Sequence, residues 1–201
     1  MNDDDKYKSV YHTHTHYQQH TIYNSPLSNT QSIQDEVALI DYKLKLIHSL
    51  KEQDCTNMTV TECIRYAILH NKLDLADSMA KNFKVPDARL WRIKIRALVE
   101  AGMYDELNVL SNKRSPIGYS PFVDACAEQK NFHEAAIYLP KMKNEGERMR
   151  VAMKWRMYEH AFPCAVKLRD RDVLMEILNG TRNEQLKNDV TMAIRTIDGN
   201  K

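Results

Sequence analysis

The sequence predicts an all-α protein, an α-solenoid of antiparallel helix pairs preceded by a disordered N-terminal tail. Composition is the first observation behind this. Of 201 residues only five are Gly and six Pro, while Leu, Ala, Met, Glu, Lys and Arg are plentiful, a balance that favours helix. The second is spacing: apolar residues recur three and four apart in one segment after another, as on one face of a helix. The third is a unit of two helices parted by a helix-stopping residue and closed by a tight turn, and this unit recurs along the chain.

Residues 1–34 are of another kind. They are rich in Asp, His, Thr, Tyr, Gln, Asn and Ser, with few aliphatic residues, and cannot bury enough surface to order themselves. His12, His14, His16 and His20 form an alternating tract that could meet a metal ion, but no nearby Cys, Asp or Glu on the downstream side completes a fixed site. A low-complexity tail is the expectation there, with no metal and no cofactor.

The helical-repeat domain is expected over 35–197. Its first helix covers Ile33 to Leu50, where Ile33, Val37, Ile40, Leu44 and Ile47 form the stripe. Thr59-x-x-Glu62 reads as a capping box, starting a helix that carries Cys63, Tyr66, Ala67 and His70 and ends near Asn71. Pro86-Asp87 starts the central helix, with Asp87 as N-cap, and Leu90, Ile93, Ala97 and Leu98 repeat at helical spacing. Gly102 supplies the left-handed position that ends it. A short helix with Leu107 and Leu110 follows. The chain then turns through Ser115-Pro116-Ile117-Gly118-Tyr119 and restarts with Ser120 as N-cap and Pro121 at the first helical position.

Four places look alike: Lys72-Leu73-Asp74-Leu75-Ala76, Met103-Tyr104-Asp105-Glu106-Leu107, Asn131-Phe132-His133-Glu134-Ala135-Ala136 and Met157-Tyr158-Glu159-His160-Ala161. They recur roughly 26 to 31 residues apart, within the range of a helix-pair repeat. In each, the bulky apolar residue is expected to anchor the second helix of a pair, acids suit its first turn, and the small residue permits close approach. Pro163 should mark a helix start or kink it, and Asn179-Gly180 should end the helix begun at Asp170. Arg182 to Ile197 give one more helix.

No enzyme is legible. The histidines lack the spacings that place metal ligands on one helix face, and Ser115 and Ser120 lack a nearby base. Cys55, Cys63, Cys126 and Cys164 contain no CxxC pair and read as buried thiols of a reducing compartment. No apolar run reaches the ~20 residues needed to cross a bilayer. The formal net charge of +2 nominates no polyanionic partner by itself, and no nucleic acid is expected.

Two basic surfaces remain. Arg89, Arg92 and Arg96 share one face of the central helix below Trp91, where forked guanidinium groups suit the carboxylates of a partner. Lys141, Lys143, Arg148, Arg150, Lys154 and Arg156, interleaved with Glu145 and Glu147, read more simply as a solvated face.

Pro86-Asp87-Ala88-Arg89-Leu90-Trp91 together with Ser115-Pro116-Ile117-Gly118-Tyr119-Ser120-Pro121 resembles the C-terminal region of the vacuolar protein sorting subunit sixteen family. The likeness runs more loosely from about Thr59 to Leu178. Arg92 stands where that family usually has a second aromatic, and Met103-Tyr104 replace its acidic residue and Trp. The resemblance implies an α-solenoid scaffold without catalysis in the HOPS and CORVET tethering complexes of endosome-to-lysosome or vacuole transport. It further implies a Sec1/Munc18-type subunit and other class C subunits as partners, with indirect SNARE and membrane association. The location implied is cytoplasmic, peripheral on late endosome, lysosome or vacuole. The family's β-propeller is not seen, so the chain reads as a fragment or short form. The alternatives are a paralogous Sec1/Munc18-binding endosomal sorting protein, or a helical-repeat binder of nucleic acid or phosphoinositide. On this reading Arg89, Arg92, Arg96 and Trp91 contact the partner, while Pro116, Gly118 and Tyr119 form the structural turn.

Overall fold

In the computed structural model, residues 28–50, 55 and 57–199 are described, and the His12–His20 tract lies outside them. The described residues form eleven α-helices, one short 3₁₀ turn and no strand. The chain divides into two compact units between Met58 and Thr59. In the first, α1 (Ser28–Leu50) starts earlier than the apolar stripe from Ile33 suggests, extending into the 1–34 segment. Gln31 donates to Asp35 one turn on, at 2.9 Å, within this polar leading segment.

The second unit is the helical array. Its helices are α2 (Val60–Leu69), α3 (Leu73–Asn82), α4 (Asp87–Glu100), α5 (Tyr104–Ser111), α6 (Ser120–Glu128), α7 (Phe132–Tyr138), α8 (Glu145–Lys154), α9 (Tyr158–Leu168), α10 (Arg171–Gly180) and α11 (Glu184–Gly199). They pack as sequential pairs, α2 on α3 through α10 on α11, and the leading helices α2, α4, α6 and α8 stack in series. The last pair instead docks on α9. Because each hairpin reverses the chain in about three residues, the turns within pairs lie along one edge of the array. The connections between pairs lie along the other.

One backbone device makes the hairpins. Asn71, Gly102, Lys130 and Arg156 sit between the two helices of successive pairs with φ of 57, 69, 60 and 55°. Each N–H bonds to the carbonyl three residues back, and the next N–H to the carbonyl five back, as in Asn71 to Ile68 at 2.9 Å and Lys72 to Ala67 at 2.8 Å. That is the Schellman motif, which satisfies carbonyls left over at a helix end. The residues that follow, Lys72, Met103, Asn131 and Met157, then share one conformation, with ψ of 57, 68, 74 and 63°. These are the first residues of the four look-alike sequences, so the degenerate repeat records a common hairpin backbone. Ala76, Leu107, Ala135 and Ala161, four places on, are completely buried. The bulky residue ahead of them is a less uniform anchor, since Met157 is buried but Phe132 is 45% exposed. The residue that must fit between helices is the buried one.

The capping box forms as the sequence predicts, with Glu62 N–H donating to Thr59 Oγ1 and Thr59 N–H to Glu62. Other caps shift by one place. Pro86, not Asp87, is the N-cap of α4, because its carbonyl accepts from Arg89 at 2.9 Å and Leu90 at 3.0 Å. Asp87 still places negative charge in the first turn. Tyr119, not Ser120, caps α6, so Pro121 falls at the second helical position, and Ser120 Oγ donates to Asp124 at 3.3 Å. Pro163 lies inside α9 on an exposed face, leaving the carbonyl one turn back without an intrahelical donor. Gly180 does not end α10 through a left-handed turn. It is the last residue of the helix, which therefore stops where the sequence predicts, and a Cβ there would lie 2.6 Å from Tyr158 Cζ and closer still to its hydroxyl.

Candidate functional site

The central helix α4 carries the predicted face. Leu98, Ile95, Ala97 and Val99 bury its inner side, which leaves Arg89, Arg92 and Arg96 exposed on the outer one. Arg89 lacks an acid one turn on and instead donates to Thr61 Oγ1 of α2 at 2.7 Å. A neutral hydroxyl aims the guanidinium without neutralising it. Arg96 does have Glu100 one turn ahead, an arrangement that alone would form an ion pair within the helix. Here both Glu100 oxygens accept from Arg65 of α2, at 2.5 and 2.6 Å. Arg92 and Arg96 form no ion pair among the described residues. Neither Thr61 nor Arg65 could be found from sequence, since they stand 28 and 35 residues from their partners.

Trp91 is half-buried and points elsewhere. Its ring meets Phe122 edge-on at 6.3 Å, and Phe122 also contacts Tyr119 at 5.8 Å and Tyr138 at 5.2 Å. This aromatic chain joins α4, α6 and α7. In the adjoining turn Ser115 Oγ donates to Gly118 O at 2.8 Å, Ile117 N–H reaches Ser115 Oγ at 3.3 Å, and Gly118 takes φ of 73°. Pro116, Gly118 and Tyr119 thus bring α6 and its Phe122 against Trp91. The structure therefore brings the turn and Trp91 together, with the arginines on the other side of the helix.

The second basic surface is largely engaged within the chain. Lys141 donates to Ser111 and Asn112 at 2.6 and 2.9 Å, and Arg148 to the Met142 carbonyl at 2.7 Å. Lys154 pairs with Asp124 at 2.8 Å, and Trp155 Nε1 donates to the same carboxylate at 2.6 Å, pinning α8 to α6. Glu145 gathers Arg148 and Lys167, and the hydrogen bond from Lys167 holds its carboxyl below the ordinary range.

Beneath these surfaces Tyr138 donates to Glu134 at 2.6 Å, and Glu134 N–H is received by the Asn131 side chain at 3.1 Å. Burial, aided by Glu134, pushes the Cys126 thiol up to about 12, and burial also raises Tyr138. Thiols so held are inert toward oxidation and metal capture. All four cysteines are buried thiols, none in a disulfide. Among the described residues no group of three His, Cys, Asp or Glu side chains is placed to hold a metal, and no helix is long and apolar enough to cross a membrane.

Fold and surface together define a helical-repeat segment that presents an aimed basic face. The chain belongs to the family described as Vps16, C-terminal region, whose model matches residues 11–197. A vacuolar protein sorting-associated protein 16 homolog of Dictyostelium discoideum is 31% identical over 182 residues, 90% of this chain and 21% of that protein. The Drosophila melanogaster homolog is 32% identical over 142 residues, covering 70% of this chain and 17% of its own. The Saccharomyces cerevisiae protein of that name is 29% identical over 128 residues, 62% of this chain and 16% of that one. The chain thus spans about a fifth or less of the length of these curated relatives.

Proposed function

We propose that this chain is a non-catalytic scaffold in vesicle tethering for endosome-to-lysosome or vacuole transport. In this role it anchors a Sec1/Munc18-type subunit within a HOPS- or CORVET-like assembly, peripheral to the membrane. The family assignment and the names of the relatives support the transport role. The observation that carries the docking site is the capture of Glu100 by Arg65, which leaves Arg96 without that acid, while Arg92 has no ion pair among the described residues and Thr61 aims Arg89 beside them. Three guanidinium groups on a rigid helix fit carboxylates of a folded partner. A forked pair removed from water there costs on the order of 2–5 kcal/mol to break from one side. Trp91 supports the face from beneath through Phe122.

The alternative of nucleic-acid binding through residues 141–156 is the weaker reading, because Lys141, Arg148 and Lys154 already hold internal acceptors. The test is titration of a purified Sec1/Munc18-type subunit onto the chain. Arg89→Asp should abolish binding while leaving helicity and melting temperature nearly unchanged, and Arg92→Asp with Arg96→Asp should do the same. Lys143→Ala should bind as the parent does. Retention of parental affinity in both aspartate variants would place the docking surface elsewhere.

A further inference from the structure

The small net charge conceals a separation that the topology creates. The connections between pairs, which share one edge of the array, carry Lys84, Lys113, Arg114, Lys143 and Arg169. All five are exposed, and none forms an ion pair among the described residues. The acids on this edge do not balance them. Asp170 is turned into its own helix as a cap, Glu145 is held by Arg148 and Lys167, Glu147 is half-buried, and only Asp87 and Asp172 stand exposed without such a partner. The opposite edge mixes its charges, with Lys72 beside Asp74, Lys130 beside Glu128 and Arg156 beside Glu159.

We propose that the edge formed by the inter-pair connections docks on an anionic lipid bilayer. The cations are spread over four successive loop tips and are not gathered into a groove, which suits an extended, flat, negatively charged surface and not a single acidic peptide. Three of the tips also carry an aliphatic side chain near the charge: half-buried Val85 follows Lys84, half-buried Ile117 lies three residues after Arg114, and Leu168, 46% exposed, precedes Arg169. Cations that meet headgroups, with short apolar residues able to enter the interface, are the chemistry of peripheral membrane contact. Each cation near such a surface contributes roughly a fivefold factor in partitioning, and five acting together give reversible, salt-sensitive binding. The proposal does not involve Arg89, Arg92 or Arg96, so it stands or falls apart from the partner-docking reading.

The experiment is co-sedimentation of the full chain with vesicles of phosphatidylcholine alone and of phosphatidylcholine with phosphatidylserine at about 7:3. Circular dichroism of each variant checks that it is folded. Binding is expected to the mixed vesicles only, and to fall as salt is raised. Lys143→Gln should lower it roughly fivefold, and Lys113→Gln with Arg114→Gln on the order of twenty-fivefold. Lys72→Gln with Lys130→Gln, which removes equal charge from the opposite edge, should leave it nearly unchanged. The proposal is overturned if the mixed vesicles retain no more protein than phosphatidylcholine, or if the opposite-edge variant loses as much as the Lys113 and Arg114 one. Tighter retention by poly-glutamate than by the vesicles would assign the edge to an acidic protein segment and equally overturn it.

Discussion

Replacing Arg156 by glycine should stabilise the protein, although it deletes a long side chain and its charge. Arg156 holds φ of 55° at the hairpin between α8 and α9, where an L side chain costs roughly 1–2 kcal/mol. Glycine enters that region without penalty, but its greater freedom in the unfolded chain returns roughly 0.5–1 kcal/mol of the gain. The side chain is exposed and makes no hydrogen bond or ion pair among the described residues. The backbone bonds from Arg156 N–H to Met153 O at 3.0 Å and Met157 N–H to Ala152 O at 2.9 Å survive the change. The net gain is about 0.5–1 kcal/mol, or a rise of about 1–4 °C in Tm for a chain of this size. Gly102→Ala and Gly118→Ala test the converse. Their φ values are 69 and 73°, and an added Cβ would meet nothing within 4 Å, so a loss of about 1 kcal/mol must come from the backbone. Thermal and urea unfolding followed by far-ultraviolet circular dichroism measure all three. If Arg156→Gly melts lower with an unchanged urea slope, or Gly102→Ala melts as the parent does, the left-handed hairpin positions are not strained.

Gly180→Ala should cost roughly 1–3 kcal/mol, because Tyr158 must swing away from the new methyl group. In a Tyr158→Ala background the same change should be neutral or mildly stabilising, and a double-mutant cycle that shows no coupling would refute the contact. Raising pH should weaken the fold between about 9 and 12. The unfolded Cys126 thiol releases its proton near its ordinary value of 9, whereas the folded one keeps it up to about 12. Folded stability is therefore complete below 9 and declines by roughly 1.4 kcal/mol per pH unit above it, with Tyr138 adding to the loss above its own ordinary value of 10. Cys126→Ala should flatten the slope between 9 and 10 in urea titrations at fixed pH, and an unaltered slope would assign the alkaline weakness to other groups.

By itself the sequence determined the helical fold, many of the helix ends and the family. Thr59 and Glu62 make a capping box because the two residues stand three apart, whatever surrounds them. The four hairpins were legible as a faint repeat because a Schellman turn and the buried residue that follows depend on backbone and side chains within about ten positions. Even there the sequence misplaced two caps by one residue, since Asp87 and Ser120 are good caps in isolation but the carbonyls of Pro86 and Tyr119 receive the first helical bonds. The tertiary structure alone decided which charges remain available. Arg96 and Glu100 look like a helical ion pair until α2 stacks on α4 and brings Arg65 to both carboxylate oxygens. Gly180 ends α10 as the sequence predicts, but only the packing of Tyr158 of α9 against it shows why a side chain is excluded there. The segregation of cations to one edge likewise arises only when successive pairs stack, because residues some thirty positions apart then become neighbours. Local backbone energies act over a few residues and are written in order along the chain, whereas charge pairing depends on which distant helices touch.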